Sequence, residues 1–131
     1  MILYCAADLL WATKIKSTAD ALAIPCRPIR NLDMLNARLA DTPPPGVKAV
    51  LIDLEARPAA MDLITHLRAS TAPTPHIPIV AFGPHVLTAE FQAARAAGAD
   101  TVMARGALHR TLPDVLKRLN AGTAVASVME D

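Results

Sequence analysis

A carboxylate, Asp53, closes the apolar run Val47-Lys48-Ala49-Val50-Leu51-Ile52. An acidic group at the end of a buried strand can hold a cation, accept a phosphoryl group or pair with a base. Arg105 follows a second such run, Thr101-Val102-Met103-Ala104, and Asp8 follows a third, Ile2 to Ala6. Asp53 has two readings, a phosphoryl acceptor or the partner of Arg105 in an ion pair that fixes one conformation. Asp8 also has two: a helix N-cap, worth ~1 kcal/mol, or a metal ligand displaced by one position. Glu55 is expected in a solvated loop. His85, after Gly83-Pro84, is either a surface turn residue or a group that titrates near neutral pH within a site. Elsewhere the spacing for chemistry is missing. His66, His76 and His109 are not spaced for a metal, and the two cysteines, Cys5 and Cys26, make neither a zinc pattern nor a disulfide framework. Cys5 reads as a small buried hydrophobe, and Cys26 as an edge-strand thiol or a redox group. Gly83-Pro84-His85 lacks the glycines of a phosphate-cradling loop. Trp11 is either an exposed partner anchor or a packing residue.

The elements that position these groups follow from the order of patterns. The chain has 131 residues, enough for one domain with a sizeable core. It is 53% hydrophobic and 19% charged, with a net charge of +1, which argues against disorder and against a broad nucleic-acid surface. Four aromatic residues offer no stacking platform for single strands. No apolar run approaches the ~20 residues that span a bilayer, and no signal peptide is visible. A reducing cytoplasm is the expected setting. Short uncharged runs alternate with helical stripes five times. Ile15, Ala19 and Leu22 share a face, as do Leu32, Leu35 and Leu39, then Ala60, Leu63, Ile64 and Leu67, then Phe91, Ala94 and Ala97. Leu108, Leu112, Val115, Leu116 and Leu119 form the strongest stripe. Asp41 to Gly46 and residues 71–76 are breaker loops, and Gly98 and Gly122 stop helices. The pattern is α/β, (βα)₅. Strands apolar throughout need cover on both faces, so the sheet is parallel and doubly wound. Order 2-1-3-4-5 puts the strand Ile24–Ile29, with Pro25 and Pro28, at an edge, where missing N–H donors are tolerated. Function then collects at the C-terminal ends of strands 1 and 3. Residues 1–122 are expected to form the domain and residues 123–131 a tail that frays.

Val50-Leu51-Ile52-Asp53-Leu54, Ile77-Pro78-Ile79-Val80 and Ala96-Ala97-Gly98-Ala99-Asp100 resemble the receiver domain of bacterial response regulators, the flavodoxin-like, chemotaxis-regulator-like fold. The likeness spans roughly residues 1–121. In that family the aspartate at the Asp53 position accepts a phosphoryl group from a histidine kinase, and an acidic pair after strand 1 holds Mg²⁺. The resemblance places that pair on Ala6 and Ala7, the phosphoryl-binding hydroxyl on Gly83, the lysine on Arg105 and the switch aromatic on Val102. Loss of such a cation costs several kcal/mol of transition-state stabilisation, a rate loss of about 10²–10⁴. Arg105 offsets part of this. Glycine has no hydroxyl to follow a phosphoryl group.

The resemblance therefore implies a stand-alone pseudo-receiver: no enzyme, no cofactor, no metal, and Asp53 ordinarily unphosphorylated. Its expected role is protein–protein contact in bacterial two-component or phosphorelay regulation, with a histidine kinase, another receiver, an output protein or a second copy. The family's self-association face, the fourth helix, fifth strand and fifth helix, would carry Arg95, Asp100, Arg110, Asp114 and Arg118. Nine residues follow the last helix, so output is expected to pass through a partner. The alternatives are an atypical phosphorylatable receiver with Asp53 as acceptor, and a small-ligand binder using the crevice of Asp8, Asp53, Gly83 and Arg105.

Overall fold

The first apolar run becomes strand β1 (Ile2–Cys5), and Asp8 then caps helix α1 (Leu9–Ala21) by accepting the Trp11 N–H at 2.9 Å. Strand β2 (Cys26–Pro28) and helix α2 (Leu32–Asp41) follow, the helix capped by Asn31. Next come β3 (Ala49–Asp53), α3 (Ala59–Leu67), β4 (Ile79–Gly83), α4 (Thr88–Ala97), β5 (Thr101–Ala104) and α5 (Arg105–Ala121). This computed structural model describes residues 1–69 and 76–130. Most of the breaker loop expected at residues 71–76 lies outside that range.

All five strands are parallel, in the order β2-β1-β3-β4-β5. The order is the one expected from proline chemistry. Pro28 cannot donate to a ladder, and β2 has only β1 beside it. Backbone bonds from Ile2 N–H to the Pro25 carbonyl (2.9 Å) and from Ile29 N–H to the Tyr4 carbonyl (2.8 Å) tie β2 in on its inner side.

Every residue of β1, β3, β4 and β5 is buried, as strands covered on both faces must be. Alternate side chains feed two separate cores. Ile2, Tyr4, Leu51, Val80, Phe82 and Met103 point toward α1 and the stripe of α5. Leu3, Cys5, Val50, Ile52, Ala81 and Val102 point toward α2, α3 and α4. The stripe Leu108, Leu112, Val115, Leu116 and Leu119 is buried along its length. Trp11 packs inward, its ring centroid 5.1 Å from that of Phe82. The packing reading of Trp11 is therefore the one realised, while its neighbours Leu9 and Leu10 are exposed.

Beyond Gly122 (φ +76°) the chain turns back beside β5 and forms a parallel bridge between Val128 and Met103. Periodicity gave no sign of this because the contact is made by backbone groups and the hydroxyls of Ser127 and Thr101, with little apolar burial.

Candidate functional site

The C-terminal ends of β1, β3, β4 and β5 lie at one end of the sheet, and Asp53, the last residue of β3, is buried there at 2% exposure. The carboxylate holds two loops at once. Its Oδ2 accepts the N–H of Ala7, in the β1–α1 loop, at 3.0 Å. Its Oδ1 accepts the N–H of Glu55, in its own β3–α3 loop, at 3.0 Å. Both are charge-assisted bonds to backbone donors that would otherwise lack partners. Leu54, buried beneath that loop, anchors it to the sheet through a 2.8 Å bond to the Phe82 carbonyl.

The ion pair expected between Asp53 and Arg105 is not the one formed. Arg105 Nη1 reaches Glu55 Oε1 at 3.1 Å, with both side chains nearly half exposed. The reason is geometric. Glu55 donates its own N–H to Asp53, and its side chain is thereby directed out to the rim, where α5 begins directly after β5. Glu55 is thus a bridging residue and not a merely solvated one. Its place after strand 3 puts Glu55 among the polar groups at the strand ends, but its pairing with Arg105 depends on the turn after Asp53 and is not readable from the sequence. Asp8 is engaged as the α1 cap. His85 is exposed and lines a shallow depression with Pro84, Val86, Arg105 and Gly106. Gly83 closes β4 beside Leu54, Leu87 and Phe91.

No family model and no curated protein matches the sequence. Solved structures do match. The receiver domain of NtrX from Brucella abortus aligns with a TM-score of 0.73 at 16% identity, covering 94% of this chain and 100% of that one. The signal receiver domain of a response regulator from Bermanella marisrubri gives 0.73 at 19%, covering 90% and 95%. A co-crystal of the Saccharomyces cerevisiae histidine phosphotransfer signaling protein Ypd1 with the receiver domain of Ssk1 contains a match of 0.71 at 11%, covering 92% and 88%. The chain has the receiver-domain fold.

A receiver fold raises the matter of Mg²⁺, and the donors here do not fit it. The cation needs several oxygen ligands in near-octahedral geometry, at least one or two from carboxylates. Ala6 and Ala7 supply none from their side chains, Asp8 is turned to the Trp11 N–H, and Asp53 is enclosed by two backbone donors. Among the described residues no three His, Cys, Asp or Glu side chains gather to hold a metal. No helix among them is long and apolar enough to cross a membrane.

The residues expected on an interaction face are dispersed among local partners. Arg95 donates to Ser127 Oγ at 2.9 Å. Asp100 pairs with Arg68 and, at 2.6 Å, with His76, and its Oδ2 also accepts the Ile79 N–H at 2.7 Å. Asp114 and Arg118 pair with each other along α5 at 2.9 Å, and Arg110 is exposed. The cysteines are free and buried, on opposite faces of the sheet. Burial pushes the thiols of both Cys5 and Cys26 up to about 11, with the Asp53 charge adding to the effect at Cys5. A thiol so raised is a poor nucleophile, which leaves the redox reading of Cys26 without chemical support.

Proposed function

We propose that this chain is a receiver-like signalling module that acts by protein–protein contact, its crevice held in one state and not switched by Mg²⁺-assisted phosphoryl transfer. The observation that carries the reading is the engagement of Asp53. Both carboxylate oxygens bind backbone N–H groups of the loops that would have to admit a phosphoryl group. Phosphoryl transfer to a carboxylate gathers negative charge, and catalysis of it is mostly electrostatic. With alanines at the cation-ligand positions and the Arg105 charge already paired with Glu55, little remains to offset that charge.

The partners proposed are protein: a histidine kinase or phosphotransfer protein, another receiver, an output protein, or a second copy. Incubation with acetyl phosphate and Mg²⁺, followed by intact mass, tests the reading. The expected spectrum shows unmodified chain, and calorimetry with beryllofluoride shows no heat of binding. An adduct that disappears in Asp53→Asn overturns the proposal in favour of an atypical phospho-accepting receiver.

A further inference from the structure

Lys16, Arg57, Arg68, Arg105 and Arg118 are each matched to an acid, in turn Asp20, Glu90, Asp100, Glu55 and Asp114. Lys14 departs from this pattern. Its ammonium donates to Nδ1 of His109 and lies 5.7 Å from the centroid of the Trp11 ring. Neither partner is an acid, and among the described residues no carboxylate pairs with Lys14.

The helices bring these groups together by their spacing. Leu10 and Lys14 stand four residues apart on α1, with Trp11 three before Lys14, and Arg105 and His109 stand four apart on α5. The two faces meet at a cavity of about 320 Å³ lined by Leu10, Trp11, Lys14, Arg105, Gly106 and His109. That volume is at the small end of the range for ligand sites. The lining holds no acid. Leu10, 77% exposed, and Trp11 supply an apolar side. The polar side is made of donors. Glu55 occupies only Nη1 of Arg105, and among the described residues the other guanidinium nitrogens have no partner. With Nδ1 accepting from Lys14, the imidazole of His109 carries its proton on Nε2, a further donor.

We infer that this cavity between α1 and α5 is a binding site for a small phosphate monoester with an apolar body. Such a group carries about −1.5 to −2 at pH 7 and three acceptor oxygens. That charge suits Lys14 together with the unpaired side of Arg105 better than a single carboxylate does. Lysine offers a point charge and arginine a planar fork, two complementary ways of holding phosphate. Leu10 and Trp11 then cover the ester's apolar part. Asp53 is not among the lining residues, so the inference is independent of the functional reading.

Trp11 is the chain's one tryptophan, so its indole signals report on this cavity. Phenyl phosphate added to the full chain is expected to shift the indole N–H resonance saturably and to bind more tightly than inorganic phosphate, which lacks the ring. Lys14→Gln is expected to weaken binding about tenfold, and Lys14→Arg, which keeps the charge, to retain most of it. Intact mass stays unchanged throughout, which separates this binding from phosphoryl transfer to Asp53. Absence of a saturable shift overturns the inference. So does equal affinity in Lys14→Gln, or inorganic phosphate binding as tightly as phenyl phosphate.

Discussion

At Asp53 one buried carboxylate holds two loops through their backbone N–H groups. An asparagine there keeps one acceptor oxygen and turns an amide donor toward either the Ala7 or the Glu55 N–H. The expected result of Asp53→Asn is a loss of about 1–3 kcal/mol in a urea titration, the cost of an orphaned buried donor. An unchanged midpoint would mean that the carboxylate is free of the loops and available for reaction. Arg105→Ala is expected to behave differently. Its pair with Glu55 is nearly half exposed on both sides, so its loss costs no more than about 1 kcal/mol and fades as salt is added. The contrast between the two variants is the measurement. The Asp53 position was legible in the sequence, since an apolar run ending in an acid can be read directly. Its partners were not, because backbone N–H groups leave no side-chain signature.

At the scale of elements, two glycines show where the backbone compels glycine and where it does not. Gly83, at the end of β4, has ordinary backbone angles, and a Cβ there would meet Leu87 Cδ1 at 3.5 Å and Leu54 Cβ at 3.6 Å, normal contact. Gly83→Ala is expected to raise stability by about 0.4–1 kcal/mol through the unfolded chain, measured by thermal unfolding. Packing thus does not demand a glycine at this position. Gly98 is the opposite case. It ends α4 at φ +115°, and a Cβ would lie 2.5 Å from Arg68 Cγ. Arg68 is held there by bonds to the Gly98 carbonyl and to Asp100, so it gives way poorly. Gly98→Ala is expected to cost about 1–3 kcal/mol, with the same assay as readout. Element order and the edge position of β2 were readable from Pro25, Pro28 and the five apolar runs. The course of residues 123–130 was not, because Ser127 and Val128 act through hydrogen bonds to a strand more than twenty residues away.

For the molecule as a whole, the sheet is a partition. Cys26 lies in the core with Trp11 and Phe82, Cys5 in the core with Leu35 and Phe91, and no thiol–thiol contact can cross between them. Mild oxidation is therefore expected to give no intramolecular disulfide by mass while the chain is folded. Burial raises both thiols from an ordinary value of 9.0 to about 11, so each core resists the same proton loss. Between those values the unfolded chain has released its thiol protons and the native chain has kept them. The native state then binds more protons, and stability must fall as pH rises through that window. Below it both states hold the proton and the cysteines contribute no slope. Urea midpoints taken at steps from about pH 8 to 10.5 should decline progressively. Cys5→Ala or Cys26→Ala should each flatten the decline, and the double variant should flatten it most, although Tyr4, also raised by burial, keeps a residual slope at the alkaline end. Any cavity left by the lost sulfur lowers the whole curve without changing its slope, which separates packing from titration. A decline equally steep in the double variant would place the alkaline sensitivity outside the two cores.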